Sequence, residues 1–188
     1  MRWLVLYGRS RQVPASAAAV LLVVLVLWSL SGPGRVDLGT AVQVLTANVA
    51  AGSVGLGGRD VVLERTAAIR WAPRRAAHVL LVGAFAGAAL LALQAAGVRL
   101  APAGAVLRDS AGLVGLAALG AVLCGAQFAW TLPMGWLAVT LLVPTPGGTA
   151  GEVAKWMLFP TGTTAADATG WALLVAGTAV YAVAGPRR

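Results

Sequence analysis

Charged residues divide this sequence into long uncharged intervals, and the lengths of these intervals limit what the chain can fold into. Only 11% of the 188 residues are charged, whereas 59% are hydrophobic, and the mean hydropathy is +0.84. An ordinary soluble domain has roughly 25% charged residues. A surface that faces lipid needs no charge. We therefore predict an integral membrane protein.

Five uncharged intervals are long enough to hold membrane-spanning helices. They are Gln12–Gly34, Leu38–Gly58, Ala76–Val98, Ser110–Gly151 and Ala168–Pro186. One span needs about 20 apolar residues, so the fourth interval holds two spans and each other interval holds one. The prediction is an all-α polytopic fold in which residues 1–188 form a single transmembrane domain with six transmembrane helices. Their approximate bounds are 13–31, 38–57, 76–96, 110–125, 130–144 and 169–184.

Two segments allow more than one interpretation. The first apolar run is long, and the SLSGPG sequence after it is a poor cleavage site, so we favour a retained helix over a signal peptide. Residues 145–168, between spans five and six, include an amphipathic piece that is too short to cross the membrane. We expect this external element either to lie at the interface or to enter the bilayer and return, which requires that it be buried in protein.

The arginines predict the orientation of the spans. With the N-terminus in the cytoplasm, ten of the fourteen basic residues fall on the cytoplasmic side, as the positive-inside rule requires. These are Arg2, Arg9, Arg11, Arg59, Arg65, Arg70, Arg74, Arg75, Arg187 and Arg188; the other four are Arg35, Arg99, Arg108 and Lys155. Both termini are then cytoplasmic, which needs an even number of spans. The Ala, Gly, Val and Arg bias resembles high-GC bacterial coding, so the expected location is the bacterial cytoplasmic membrane.

The longest predicted cytoplasmic loop, residues 59–75, contains a recognisable order of features. A Glu64-Arg65 pair is followed by Pro73-Arg74-Arg75 and then by the start of span three, where Gly83 lies within the first turns. This order resembles the stretch after the second span of type-2 ATP-binding-cassette (ABC) exporter permeases. In those proteins a Glu-Arg pair opens a cytoplasmic coupling helix. The layout of six spans, a basic N-terminal segment and a broken element before span six is also similar.

The resemblance implies partners and a mechanism. The chain would pair with a second permease, identical or homologous, and each would dock a cytoplasmic ATPase that binds ATP and Mg²⁺. The residues that the resemblance and their charge assign to the ATPase contact are Glu64, Arg65, Arg70, Arg74 and Arg75. The lipid bilayer is the other expected partner. An ordinary basic loop that sets topology and touches lipid headgroups is the competing interpretation of this segment.

The chain itself lacks the residues for energising transport or for catalysis. It contains no G-x-x-x-x-G-K-[ST] sequence, one histidine and one cysteine. We therefore expect no enzyme activity, no metal site and no cofactor. Gln43, Asn48, Gln94 and Gln127 are the candidates for lining a polar path, and hydrogen bonds between helices are their other role.

Other functions stay open at this stage. The six acidic residues fall at predicted span ends or in loops, which argues against a proton-driven carrier because such a carrier needs an acid inside the membrane. An ATP-independent carrier therefore ranks below a non-transporting accessory, immunity or anchoring subunit. Nucleic-acid binding is not expected, despite the net charge of +8, because the arginines lie between apolar runs.

Overall fold

The computed structural model of the chain describes residues 38–57, 71–97, 101–144 and 147–187, together with Ala18 and Leu22. These residues contain no strand and form six α-helices. The helices are α1 (Leu38–Ser53), α2 (Trp71–Ala95), α3 (Ala103–Leu123), α4 (Thr131–Leu142), α5 (Gly148–Ala154) and α6 (Thr164–Ala184). Single 3₁₀ turns follow α1, α3 and α5 at Val54–Leu56, Ala126–Phe128 and Trp156–Leu158. Apart from Ala18 and Leu22, the predicted first span lies outside the described residues, as does the predicted loop as far as Arg70.

The all-helical class is confirmed for the described residues. Helices α2, α3 and α6 have 25, 21 and 21 residues and are long and apolar enough to cross a membrane. The 16-residue α1 is shorter, and the 3₁₀ turn that follows it extends the helical segment to Leu56. Three such helices are compatible with a multi-pass membrane protein, and the number of six spans remains a prediction.

Helices α1, α3 and α6 run in one direction, and α2 runs in the opposite direction. At one end of the bundle, the Tyr181 hydroxyl of α6 donates a hydrogen bond to the carbonyl of Leu56, and His78 Nε2 of α2 lies 3.0 Å from the carbonyl of Gly55. At the other end, the Gln94 amide donates to the carbonyl of Ala101 (2.6 Å), and Arg108 bonds to Asp167. We call these the Tyr181 end and the Arg108 end. Helices α1, α3 and α6 finish at the first, where α2 begins.

Helix α3 lies at the centre and contacts α1, α2, α4 and α6. Between Ala105 and Ala121 every residue except Leu107 and Leu119 is buried. A helix that is apolar on all sides can be enclosed in this way, and its many alanines and glycines leave room for four neighbours. The helix begins at Ala103, after Pro102, and thus starts seven residues before the span predicted from Ser110.

The α3–α6 crossing is the closest helix contact in the described residues. Backbone meets backbone where Gly115 faces Gly177, and a Cβ atom on Gly177 would lie 2.7 Å from the carbonyl carbon of Gly115. On α3 itself, a Cβ on Gly115 would meet the backbone of Leu173 and Leu174. Small residues are what permit such an approach between helices in membranes.

Substitution of Gly177 by alanine tests this contact. Because the added methyl group would overlap the backbone of α3, we expect the free energy of unfolding to fall by about 1–3 kcal/mol, the usual cost of overpacking. The matched control is Gly135→Ala on α4, where an added Cβ meets nothing within 4 Å. The control should be neutral or slightly stabilising because alanine favours helix. Thermal unfolding in detergent, followed by tryptophan fluorescence, measures both, and equal melting temperatures for the two variants would contradict the assignment.

Candidate functional site

The four polar-path candidates occupy different environments and do not converge. Gln43 and Gln127 are exposed, and Gln94 is bound to the carbonyl of Ala101. Asn48 is fully buried on α1, and neither atom of its amide group has a hydrogen-bond partner in the described part of the chain. Asn48 is therefore the one member of this set with unused hydrogen-bonding capacity inside the bundle.

Other buried polar atoms share this condition. Thr140 Oγ1 on α4 and Trp156 Nε1 in the 3₁₀ turn are buried without a partner among the described residues. Helix α1 contacts both α4 and this turn. Each unsatisfied group costs about 1–3 kcal/mol, so α1, α4 and the turn each hold a buried polar group that packing alone does not satisfy.

Arg74 and Arg75 lie in the first turn of α2, at the Tyr181 end. The Arg74 guanidinium lies 5.8 Å from the ring centre of Trp71, which is a cation–π distance. The Arg75 guanidinium lies against Gly185, where a Cβ atom would be 2.7 Å from Nη1. The other predicted ATPase contacts, Glu64, Arg65 and Arg70, are outside the described residues.

Backbone hydrogen bonds of Arg187 stabilise the Tyr181 end of the bundle. The Arg187 amide donates to the carbonyl of Ala121 (3.0 Å), and the Ala126 amide donates to the carbonyl of Arg187 (3.2 Å). Together with the Tyr181 bond to Leu56, these contacts attach both the end of α1 and the chain terminus to α3 and α6. The chain before the 58–70 segment is therefore bound to α6 through Leu56, and the chain after it lies against the end of α6 through Arg75 and Gly185.

The Arg108 end contains a buried ionic cluster, made of Arg108, Asp109 and Asp167. Arg108 Nε donates to Asp109 Oδ1, and Nη1 donates to Asp167 Oδ1, each over 2.9 Å. Nη2 donates to the carbonyl of Phe159 (2.9 Å), and the carbonyl of Pro160 lies 3.5 Å from Nη1. Arg108 and Asp109 are both only 2% exposed. Every guanidinium nitrogen is thus engaged, as a buried cation requires.

This cluster overturns one expectation. The prediction that all acidic residues lie at span ends or in loops is wrong for Asp109, which is the seventh residue of α3 and is almost completely buried. The sequence did contain a signal for it. Pro102 is a typical helix start, and a helix that begins there contains the adjacent Arg108 and Asp109 instead of ending at them.

The segment between α4 and α6 is inserted among the helices at this end; we call residues 147–163 the inserted segment. The Trp156 ring is fully buried and packs directly against Gly112 of α3, where any side chain would overlap the ring. The same ring lies beside Gly170 of α6. The Trp136 indole of α4 donates to the carbonyl of Ala154 (3.0 Å), and Asp167 Oδ2 accepts from the Gly162 amide (2.8 Å). Gly151, Trp156 and Met157 of this segment are buried, and its other residues are partly or fully exposed. That the segment enters the bilayer and returns stays a prediction.

Comparisons with protein-family models, with curated proteins and with solved structures find no match to this chain. Its function must therefore be inferred from its own residues. In the described part of the chain, no group of three or more His, Cys, Asp or Glu side chains is arranged to hold a metal ion.

Arg108→Gln tests whether the cluster holds the inserted segment. The substitution leaves the Asp109 and Asp167 carboxyl groups and the Phe159 carbonyl without their common donor, and removal of one partner from a buried ion pair costs about 3–5 kcal/mol. We expect a lower melting temperature and faster amide hydrogen exchange across residues 147–163. The matched control is Lys155→Gln, which removes a cation from the inserted segment itself. Unchanged exchange in Arg108→Gln would show that Trp156 packing alone holds the segment.

Proposed function

We propose that this chain is the membrane-spanning permease subunit of an ABC exporter in a bacterial cytoplasmic membrane. It would form a translocation path with a second permease and would be driven by a separate cytoplasmic ATPase that binds ATP and Mg²⁺. The observation that supports this most is the anchoring at the Tyr181 end. There, Leu56, before the loop that resembles a coupling helix, is bound to Tyr181 of α6, and Arg75, after the loop, lies against Gly185 at the end of α6.

A coupling element works only if its movement reaches the spans. Residues 58–70 link Gly57, one residue beyond the carbonyl that Tyr181 binds, to Trp71, where α2 begins three residues before Arg74. A force on this loop would act on α6 through Tyr181 and on α2 through Arg74 and Arg75. Since α6 packs closely on α3 through Gly115 and Gly177, the two helices would move together.

The opposite end has a suitable element for controlling access to a path. The inserted segment is held at its end by Arg108 and at its centre by Trp156, and both contacts involve α3 and α6. A movement of these helices would change both contacts at once. In this proposal the segment closes the external side of the path, and the unsatisfied Asn48, Thr140 and Trp156 atoms are polar groups along it.

A second candidate is an ATP-independent carrier, and one observation favours it. Proton-driven carriers use a carboxylate inside the membrane, and Asp109 is such a group, buried within a helix that is long and apolar enough to span. A non-transporting accessory, immunity or anchoring subunit is the remaining alternative. Such a subunit needs only a stable bundle of helices.

Affinity purification of the full chain in mild detergent separates these candidates. The permease proposal expects an ATPase to co-purify. Charge reversal of the predicted contacts, Arg65→Glu or Arg70→Glu, should lower its recovery by about tenfold, the effect of losing about 1.4 kcal/mol of binding free energy. ATP-dependent transport by the reconstituted complex would then separate a permease from an accessory subunit.

The matched control for this experiment is Lys155→Glu. It makes the same change of charge at the Arg108 end, away from the loop, and should leave ATPase recovery unchanged. An ATPase recovered equally with Arg65→Glu, Arg70→Glu and Lys155→Glu would contradict the assigned contact. Recovery of the intact chain without any ATPase would contradict the permease proposal and favour the carrier.

A further inference from the structure

The charges of the buried cluster do not balance. Arg108 is always protonated and contributes one positive charge, while Asp109 and Asp167 contribute two negative charges when both are ionised. The two ion pairs share this single guanidinium. The cluster therefore has one more negative charge than it can neutralise from within.

None of the described elements packed around the cluster supplies the missing charge. Helices α1 and α4 contain no ionisable residue, and on α6 only Asp167 and the distant Tyr181 ionise. The ionisable residues on α2 and on the inserted segment are Arg74, Arg75, His78, Glu152 and Lys155. The first three lie at the Tyr181 end of the bundle. Within the described residues, neither Glu152 nor Lys155 forms an ion pair with the cluster.

An unneutralised charge is costly at this position. Arg108 and Asp109 have 2% of their surface exposed, and apart from Ser110 the rest of their helix consists of Ala, Gly, Val and Leu. Moving an unpaired ion from water into such surroundings costs several kcal/mol. Buried acids generally meet this cost by taking up a proton.

The hydrogen bonds distinguish the two carboxyl groups. Asp167 accepts a bond at each oxygen, from Arg108 Nη1 (2.9 Å) and from the Gly162 amide (2.8 Å), and its side chain is 30% exposed. From the described residues Asp109 accepts at Oδ1 only, and its side chain is 3% exposed. Two donors and partial contact with solvent stabilise an ionised Asp167. One oxygen of Asp109 is left to form an O–H bond.

We propose that the Arg108–Asp109–Asp167 cluster is a binding site for one exchangeable proton, held as the carboxylic acid of Asp109. The step forms one O–H bond on Asp109 from a proton of the solvent, and the cluster becomes neutral. The partly exposed Asp167 connects it with water at the Arg108 end. This inference does not rest on the permease proposal, because it follows from the cluster alone.

Infrared spectroscopy of the full chain in lipid nanodiscs at neutral pH tests the site, since a protonated carboxyl has its own C=O stretching band that shifts in D₂O. We expect one such group per chain in the wild type. Asp109→Asn should abolish the band. Asp167→Asn should abolish it as well, because Asp109 then neutralises Arg108 as an ion. The matched control Glu152→Gln, a change of the same kind on the inserted segment, should keep the band.

Several outcomes overturn the proposal. They are a wild type without the band, a band that persists in Asp109→Asn, and a band that persists in Asp167→Asn, which would contradict the charge count. A band that disappears when sodium chloride replaces choline chloride would show that the site takes Na⁺ instead. Melting temperature provides a second measurement. Asn imitates the neutral acid, so Asp109→Asn should melt like the wild type, and a marked loss of stability would mean that Asp109 is ionised.

Discussion

A guanidinium group with almost no access to water must find all its partners inside the protein, and Arg108 finds them on three separate parts of the chain. Its acceptors are the adjacent Asp109, the Asp167 carboxylate on α6, and the backbone carbonyl of Phe159 in the inserted segment. Because removal of any partner would leave a buried charge or donor unsatisfied, the start of α3, the start of α6 and the inserted segment must keep their relative positions.

Close packing of α3 against α6 extends this arrangement through the bundle. Gly115 and Gly177 allow the two backbones to touch near the middle, and at the Tyr181 end the Arg187 amide binds the carbonyl of Ala121. The pair is thus joined by ionic contacts at one end, by van der Waals contact at its centre and by backbone hydrogen bonds at the other end. A pair joined in three places is suited to carry a movement from one end of the helix bundle to the other. The proposed coupling between the loop and the inserted segment requires this property.

Much of the fold follows from the sequence. The uncharged intervals correspond to helices in the described residues, and the predicted spans near 76–96 and 169–184 overlap α2 and α6 almost completely. These assignments succeed because the apolar character of a span is a local property of about 20 consecutive residues. The candidate site could not be predicted as well from the sequence. Among the polar-path candidates only Asn48 is both buried and unsatisfied, and nothing in the sequence distinguishes it from Gln43, which lies on the same helix but is exposed.

By itself, the sequence determined that the protein is helical and apolar enough for membrane spans, where those helices lie, and that glycine is frequent enough for close crossings. The tertiary structure decided that Arg108 and Asp109 are inside the bundle. Read along the chain, two adjacent charges marked the end of an interval, because charges normally avoid lipid. Their burial depends on acceptors 51 and 59 residues further along the chain, and no local pattern reports such a distance. Only packing brings Phe159 and Asp167 to Arg108, and with them the inserted segment and the unbalanced charge.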